Sequence, residues 1–414
     1  MLVCFHVDDF LIVTTSAQWE KEFMDAISTR FEVSDLGALG QKCDRLLGLT
    51  VERSIMVGSA NANKCARSNC PCTSRAIDLN KDGTIKRLHT YCCRTCANGK
   101  ACEKNYHSTS IVTGHDGERM EARNTFKITS PEVLQSLLES TQMTGTDPTT
   151  TPATDPNKAD LVSIDSADLK AYGWEPSSVV GSVQWCATCC RPDLTVISSI
   201  LGSERADPTV AGMKNMERML RYISGTIDKG LIYSHNSVTP ADQRRHVIIS
   251  MFSDSDWAGD IKVSKNPKHR SRVGYLIKFD SCSVHWSSKF RTTGGVENGN
   301  TEIDLSSQAA EIGALSEGCR RLIWLKRTFS SAGFEVPMCD VYEDNQAAIR
   351  FVQGQTLTER TRHIHREDSA IRELQRNKEI NIQYINTAYN LADFFTKILP
   401  MTTFRNFRDS IMGL

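Results

Sequence analysis

The sequence contains no long apolar run and no excess of charge of either sign. No uninterrupted apolar stretch reaches the roughly 18 residues of a membrane-spanning helix, so we expect no membrane partner. Lysine plus arginine and aspartate plus glutamate each number 49, so the chain as a whole is not a polycationic nucleic-acid binder. The apolar fraction of 40% still supplies a core, and 414 residues predict two or three domains.

We also expect no secretory signal, because Asp8 and Asp9 interrupt the first apolar stretch, MLVCFHVDDFLIV. The 15 cysteines are an odd number, whereas oxidised secreted domains usually have an even count. Seven of them lie between Cys65 and Cys102. We therefore expect an intracellular protein with reduced thiols.

Composition divides the chain into unlike segments. Residues 53–127 contain 13 lysines and arginines against 6 acids and few large apolar residues, as an insertion would. Residues 141–160 contain seven threonines and three prolines, which is typical of a linker. Residues 178–233 return to a globular, mainly helical pattern.

The C-terminal part, residues 244–414, alternates strand and helix patterns. Strand patterns cover 246–252, 273–279, 283–288, 339–343 and 380–385, and helical patterns cover 307–329, 345–353, 365–377 and 391–397. The order of these elements predicts an α/β domain.

Four carboxylates of this part stand near the ends of separate elements: Asp254, Glu311, Asp344 and Asp393. If they converge, their mutual repulsion favours divalent metal, and Mg²⁺ binds a few carboxylates together with water and phosphate oxygens. Two such ions, about 3.5–4 Å apart, support phosphodiester cleavage. Spacing alone fits equally well with solvated acids at strand ends and helix N-termini, so both interpretations stay open at this point.

Sequence motifs carry more information than the spacing does. They read FSDSDWAGD (252–260), SRVGYLI (271–277), VHWSSK (284–289), LSSQAAEIGALSEGCRRLIWL (305–325), VYEDNQAAI (341–349), RTRHIH (360–365) and NLADFFTKILP (390–400). Together they resemble the ribonuclease H domain at the C-terminal end of copia-type LTR retrotransposon polyproteins. The resemblance implies a ribonuclease H-like mixed five-stranded sheet flanked by helices.

The resemblance also implies a set of site residues. Position by position, the family's metal-binding acids fall on Asp254 of SDSDW, Glu311 of SQAAEIGAL, Asp344 of EDNQAA (CDNQSA-like in the family) and Asp393 of LADFFTK. They would be catalytic and would bind two Mg²⁺ ions, with Mn²⁺ as a substitute. The implied substrate is the RNA strand of an RNA–DNA hybrid.

The charge of residues 244–414 agrees with a nucleic-acid partner, since 24 lysines and arginines stand against 20 acids. The candidates for phosphate contacts are Arg320, Arg321, Lys326 and Arg327, all on the predicted helix 307–329. A merely solvated helix face is the alternative interpretation.

The N-terminus continues the resemblance. FHVDDFLIV (5–13) resembles the YVDD box of copia-type reverse transcriptases, which makes Asp8 and Asp9 a remnant of a polymerase metal site. Since the fingers and most of the palm precede this box in the family, we expect a truncated α+β palm and connection segment that synthesises no DNA.

The cysteine-rich insert interrupts the family pattern. Two clusters, Cys65, Cys70 and Cys72, then Cys93, Cys96 and Cys102, resemble the general layout of a structural zinc site. No standard zinc module is matched, so non-functional inserted sequence and redox-sensitive thiols remain alternatives. If Zn²⁺ binds, the basic insert makes an accessory nucleic-acid contact plausible.

These observations lead to one main hypothesis and one rival. We predict a truncated reverse-transcriptase palm segment (1–52), a Cys-rich basic insert (53–140), a Thr/Pro-rich linker (141–177), thumb- or connection-like helices (178–243) and a ribonuclease H domain (244–414). The main hypothesis is two-metal hydrolysis of RNA in hybrids, in a cytoplasmic particle or the nucleus, alongside other retrotransposon Pol products. The rival is a decayed or repurposed fragment that binds nucleic acid without catalysis.

Overall fold

The computed structural model describes residues 2–6, 9–13, 17–30, 45–59, 77–79, 85–88, 110–113, 119–234, 247–264, 270–280, 282–291, 306–354 and 365–414. At the N-terminus, β1 (Leu2–His6) and β2 (Asp9–Val13) pair as the expected antiparallel hairpin, and α1 (Ala17–Ser28) follows.

A second sheet precedes the C-terminal part. The strands before residue 240 continue as β3 (Arg45–Leu46), β4 (Leu49–Ser59), β5 (Ile77–Leu79), β6 (Ile85–Leu88), β7 (Ser110–Thr113), β8 (Arg119–Thr129) and β9 (Leu231–Ser234). β3, β4, β8 and β7 lie in this order in an antiparallel sheet, and β9 also pairs with β8. β5 and β6 form a separate pair. The arrangement expected for a polymerase palm stays a prediction.

Helices fill the region between β8 and β9. They are α2 (Pro131–Ser140), α3 (Ser166–Ala171), α4 (Pro176–Cys189), α5 (Thr195–Ser203) and α6 (Val210–Ser224). The Thr- and Pro-rich residues, where composition predicts a linker, lie along α6: Arg218 Nη2 donates to Thr151 Oγ1 at 2.9 Å, and the Asn215 amide bonds the Thr154 backbone.

The C-terminal part forms the expected mixed five-stranded sheet. Its elements are β10 (Ile249–Asp256), α7 (Asp260–Val263), β11 (Arg272–Phe279), β12 (Cys282–Phe290), α8 (Ser307–Ser331), β13 (Cys339–Glu343), α9 (Gln346–Val352), α10 (His365–Arg376), β14 (Ile380–Tyr384) and α11 (Met401–Met412). The spatial order is β12-β11-β10-β13-β14. β10, β11 and β12 are antiparallel neighbours, whereas β13 runs parallel to β10 and β14.

The final segment differs from the sequence prediction. Residues 391–397 do not form an α-helix; instead a 3₁₀ helix covers Leu391–Phe395, and α11 follows it after Pro400. Phe404, Phe407 and Ile411 of α11 are buried at spacings of three and four residues, which is the apolar face of an amphipathic helix.

Each face of the sheet has its own core because strand side chains alternate between faces. One face packs against α8, α9 and α10 through residues such as Met251, Val341 and Leu315. The opposite face packs against the Leu391–Phe395 turn, α11 and the earlier helices α2, α4, α5 and α6. Leu276 and Phe395 thus share one core with helices that lie before residue 230.

A fully buried ion pair lies in this shared region. Arg191 Nη2 contacts Asp193 Oδ2 at 2.8 Å, and neither side chain is exposed. Tyr222 of α6 donates to Asp193 Oδ2 at 2.8 Å, and Arg408 of α11 donates to the Tyr222 hydroxyl at 3.4 Å. Trp286 of β12 also donates to the Ala187 carbonyl at 2.9 Å. Polar contacts as well as apolar ones therefore fix the helical region against the sheet.

None of the helices in the described ranges is long and apolar enough to cross a membrane.

Candidate active site

The central strand β10 carries the first predicted acid. Asp254 was expected just after this strand, but it lies within it, paired in register with Gly274 of β11. Alternation places Asp254 and the preceding Ser253 on opposite faces of the sheet. The bare Gly274 leaves room beside it: a Cβ there would come within 2.8 Å of the Phe395 Cβ. The glycine therefore lets the Leu391–Phe395 turn approach the strand next to Asp254.

The Leu391–Phe395 turn carries Asp393. Asn390 begins the turn, since its Oδ1 accepts from the Ala392 N–H at 3.1 Å. The Nδ2 of Asn390 donates to the Ser253 carbonyl at 2.9 Å. One asparagine side chain thus both caps the turn and attaches it to β10, which holds Asp393 beside Asp254.

Lys397 lies between these two aspartates. Its Nζ is 2.6 Å from Asp393 Oδ1 and 3.2 Å from Asp254 Oδ2. Thr396 also donates a hydrogen bond to Asp254 Oδ2. Asp254 and Asp393 are both buried, so the lysine supplies the positive charge that this pair needs away from water.

Glu311 reaches the site from the other face of the sheet. Ser306 caps α8 by accepting from the Ala309 N–H at 3.2 Å, which places Glu311 near the start of the helix. Glu311 is buried, and its Oε2 has no hydrogen-bond partner within the described part of the chain.

Two adjacent acids, Glu343 and Asp344, lie at the end of β13. Glu343 is completely buried; its Oε2 accepts from Ser253 Oγ at 2.8 Å and its Oε1 accepts from the Asn345 N–H at 3.1 Å. Asp344 is the next residue and is partly exposed. Asn345 Oδ1 then caps α9 by accepting from the Ala347 and Ala348 N–H groups. The cap fixes the direction in which the chain leaves the strand.

The acids form two groups that share one member. Ligand oxygens of Asp254, Asp344 and Asp393 all lie within 4.8 Å of one another, and so do those of Glu311, Glu343 and Asp344. The four acids predicted from the sequence therefore meet at one edge of the sheet, with Asp344 between the two faces. Carboxylate groups of this kind are the ligands that divalent cations such as Mg²⁺ take in proteins.

Burial and mutual repulsion change the protonation of the site. Burial raises the pKa of Asp393 to about 7, aided by the charge of Asp254 and opposed by Lys397. Burial also raises the pKa of Glu311 well above its ordinary value, with the charges of Glu343, Asp254 and Asp344 adding to the effect. Burial likewise raises the pKa of Glu343, although hydrogen bonds from Ser253 and Asn345 oppose it. All three directions indicate that the site favours added positive charge.

Exposed aromatic side chains stand around the same edge. Trp257 follows β10, Tyr384 ends β14, and Tyr389 precedes the Leu391–Phe395 turn; each is at least half exposed. Tyr384 is the register partner of Glu343, while β10 lies two strands from β14, or roughly 10 Å. Aromatic surface therefore flanks the carboxylates on two sides.

The candidate phosphate contacts lie farther along α8. Arg320, Arg321 and Arg327 are exposed, and the Arg321 guanidinium lies 5.5 Å from the ring centre of the exposed Trp324. Lys326 is mostly buried, and its Nζ lies 2.6 Å from Glu379 Oε2. A contact of these four residues with nucleic acid stays a prediction, and Lys326 already has an acidic partner.

Several predicted metal ligands cannot be placed. Asp8 and the side chain of Asp9 lie outside the described residues, as do Cys65, Cys70, Cys72, Cys93, Cys96 and Cys102. The polymerase remnant and the zinc site stay predictions.

Sequence reasoning missed two residues of the site, Glu343 and Lys397. Glu343 follows the buried Cys339 and Val341 at strand spacing, so alternation could have placed it on the interior face. Lys397 follows Asp393 by four residues, the spacing at which a turn of helix brings opposite charges together.

Part of this chain matches solved structures of ribonucleases H. The N-terminal ribonuclease H domain of Rv2228c from Mycobacterium tuberculosis is 14% identical, covering 40% of this chain and 98% of that chain, with a TM-score of 0.26. LC11 ribonuclease H1 in complex with an RNA/DNA hybrid is 18% identical. The match covers 36% of this chain and 92% of that chain, also with a TM-score of 0.26. No protein-family model matches the chain.

Curated relatives are more informative. The Pol polyprotein of transposon TNT 1-94 from Nicotiana tabacum is 28% identical over 228 residues, 55% of this chain and 15% of the relative. The Pol polyprotein of transposon RE1 from Arabidopsis thaliana is 27% identical over 279 residues, which are 67% of this chain and 17% of the relative. Secreted RxLR effector protein 161 from Plasmopara viticola is 30% identical over 148 residues, which are 36% of this chain and 89% of the relative. The chain spans less than a fifth of the length of the two polyproteins. Over these parts, the chain is similar to the retrovirus-related Pol polyproteins of plant transposons, in agreement with the motifs of β10, α8, β13 and the Leu391–Lys397 segment.

Proposed function

We propose that the chain hydrolyses the RNA strand of an RNA–DNA hybrid with the help of divalent metal. The observation that carries this proposal is the convergence of Asp254, Glu311, Asp344 and Asp393 at one sheet edge, with Asp344 shared by two carboxylate groups. Isolated solvated acids would not meet in this way, and two adjacent oxygen-ligand sites suit a two-ion phosphodiester cleavage.

The donor set fits a hard divalent ion. All candidate ligands are carboxylate oxygens, which Mg²⁺ and Mn²⁺ bind, and the buried Glu311 Oε2 lacks any other partner among the described residues. Asp254 and Asp393 would hold an ion on one side, Glu311 would hold one on the other, and Asp344 would serve both. Bound ions supply activation of the attacking water and neutralisation of charge on the scissile phosphate.

The residues around the carboxylates keep these ligands in place. Asn390 attaches the turn of Asp393 to β10, Thr396 donates to Asp254, and Lys397 holds Asp254 and Asp393 together. Hydrogen bonds of this kind orient ligands before an ion arrives, so less order has to be created when it binds.

A hybrid would meet both aromatic and basic surface. Trp257, Tyr384 and Tyr389 present exposed rings beside the acids, and such rings can pack against nucleotides. The exposed arginines of α8 lie on the same helix as Glu311 and could contact phosphates farther along the duplex. This surface supports a nucleic-acid substrate better than a small one.

The test is a cleavage assay on a labelled RNA–DNA hybrid with Mg²⁺, in which wild type is compared with Asp344→Asn. Since Asp344 belongs to both groups, we expect its loss to lower the rate by at least about 100-fold. Asp340→Asn is the matched control on the same strand, because Asp340 bonds Asn381 and Gln383 outside the carboxylate groups.

The outcomes separate the two hypotheses made from the sequence. Cleavage by wild type and Asp340→Asn, but not by Asp344→Asn, would support the enzyme. Equal background rates in all three proteins, with hybrid binding intact, would contradict it and favour a fragment that binds without catalysis.

A further inference from the structure

Glu343 is an acid to which neither the family resemblance nor the mechanism above assigns a role. It lies at the end of β13, completely buried, next to the shared ligand Asp344. Its carboxylate oxygen, one of Glu311 and one of Asp344 all lie within 4.8 Å of one another. Three carboxylates at this separation can contract around one divalent ion, since the ligand distances of Mg²⁺ are about 2.0–2.1 Å.

The charges of this group favour a cation from outside. No lysine or arginine of the described ranges makes an ion pair with Glu311, Glu343 or Asp344, whereas Lys397 pairs with the two aspartates on the opposite face. Glu311 and Glu343 are both buried, so their charges are poorly screened by water. Buried like charges of this kind are costly unless a cation joins them.

The hydrogen bonding also leaves room for an ion. Glu311 Oε2 is buried and has no partner among the described residues. Each oxygen of Glu343 accepts a single hydrogen bond, from Ser253 Oγ and from the Asn345 N–H. Since a carboxylate oxygen has two lone pairs, these bonds orient Glu343 and leave one lone pair on each oxygen for a metal.

We propose that Glu343 is a metal ligand, and that Glu311, Glu343 and Asp344 together form the tighter of two divalent-cation sites. On the opposite face an incoming ion must displace the Lys397 ammonium from Asp254 and Asp393, whereas no lysine or arginine of the described ranges has to be displaced from the acids on the Glu343 face. Metal therefore binds the glutamate side first. The inference rests on the proposed function only in taking Mg²⁺ and Mn²⁺ as the ions.

The experiment measures metal binding directly, without nucleic acid. Mn²⁺ is titrated into the full chain and free Mn²⁺ is counted by electron paramagnetic resonance, with Mg²⁺ calorimetry in parallel. We expect one tight and one weaker site in wild type. Glu343→Gln should weaken the tight site by about tenfold or more, the scale of a lost metal-supporting contact, and leave the weaker site unchanged. Asp393→Asn should do the reverse.

Folding is controlled by thermal unfolding of each variant in EDTA. If Glu343→Gln does not fold, Glu343→Asp takes its place; it keeps the charge but withdraws the carboxylate by one methylene, and it should also weaken the tight site. A Glu343 variant that folds and binds both ions as wild type does would overturn the proposal.

The same data separate this inference from the proposed function. A wild-type chain that binds metal through Glu343 but cleaves no hybrid would support the proposed metal site and contradict the proposed hydrolysis of RNA. A chain that cleaves, and in which Glu343→Gln alters neither Mn²⁺ nor Mg²⁺ binding, would remove only the role of Glu343.

Discussion

The two faces of the carboxylate site treat the same kind of charge differently. On one face, Asp254 and Asp393 are held together by the Lys397 ammonium and by a hydrogen bond from Thr396. On the other face, Glu311 and Glu343 are equally buried, but their contacts within the described ranges include hydrogen bonds and no ion pair. Asp344 joins the two faces.

The difference shows how one site can be both folded and ready for metal. The Lys397 ammonium gives the aspartate side a positive charge of its own, which opposes the rise in the pKa of Asp393 without cancelling it. The glutamate side stays incomplete, and its strain is relieved by protonation or by a cation. Removal of Lys397 should therefore affect mainly the aspartate side, and removal of metal should affect mainly the glutamate side.

Removal of Lys397 should give the largest change. In EDTA, Lys397→Met leaves Asp254 and Asp393 facing each other without a cation. We expect the free energy of unfolding to fall by about 2 kcal/mol, less than for a fully buried pair because 33% of the lysine side chain is exposed. The affinity for Mg²⁺ should rise, because no ammonium competes for the aspartates. Urea unfolding and calorimetry measure the two effects.

Lys262→Met is the matched control for this change. Lys262 pairs with Asp256 of the same strand at 3.0 Å, but its side chain is 63% exposed, so its loss should cost less than about 1 kcal/mol. Equal losses in the two variants, or an unchanged Mg²⁺ affinity in Lys397→Met, would show that the lysine is not the internal cation of the site.

The dependence of stability on pH should be the next largest effect. The pKa of Asp393 is raised from an ordinary 3.8 to about 7 in the folded chain, so the folded state holds this proton more tightly than the unfolded state. Its contribution to stability is complete below 3.8 and is lost as the pH rises through about 7. The raised pKa values of Glu311 and Glu343 act in the same direction.

Stability without metal should therefore fall as the pH rises across this range, and saturating Mg²⁺ should reduce the fall. Urea unfolding at a series of pH values, with EDTA or Mg²⁺, measures both curves. Asp393→Asn should flatten the curve obtained in EDTA. A metal-free chain whose stability rises through the same range would contradict the protonation proposed for both faces.

Much of this arrangement could be predicted from the sequence because it is local. Periodicity placed β13 and the long helix α8 to within two residues, and the motifs indicated Asp254, Glu311, Asp344 and Asp393, which the structure brings together. The strand predicted at 246–252 lies at Ile249–Asp256, so Asp254 is within the strand and not beyond its end. The polar run SDSD gives no sign of a strand in the sequence, because neighbouring elements bury its side chains.

The remainder depends on contacts between distant parts of the chain. Arg191 and Asp193 look like exposed charges in the sequence, but they are buried because α6 and α11 close over them. Glu343 likewise reads as an ordinary strand acid until Ser253, ninety residues earlier, is found to donate to it. Residue type and spacing cannot supply such long-range burial.

The smallest expected effect concerns the basic residues of α8 and extends the contrast between cations that have an internal partner and cations that do not. Lys326 resembles Lys397, because it pairs with an acid of its own chain, Glu379. Arg320 and Arg327 are exposed and make no ion pair within the described ranges. Replacing either arginine with alanine should weaken hybrid binding slightly and lower the slope of log affinity against log salt by about one, whereas Lys326→Ala should leave the slope unchanged.

Fluorescence anisotropy with a labelled hybrid at several salt concentrations measures these slopes. Equal slopes for all three variants and wild type would mean that this face of α8 does not contact phosphates, and the aromatic residues around the carboxylates would then be the surface on which the hybrid lies.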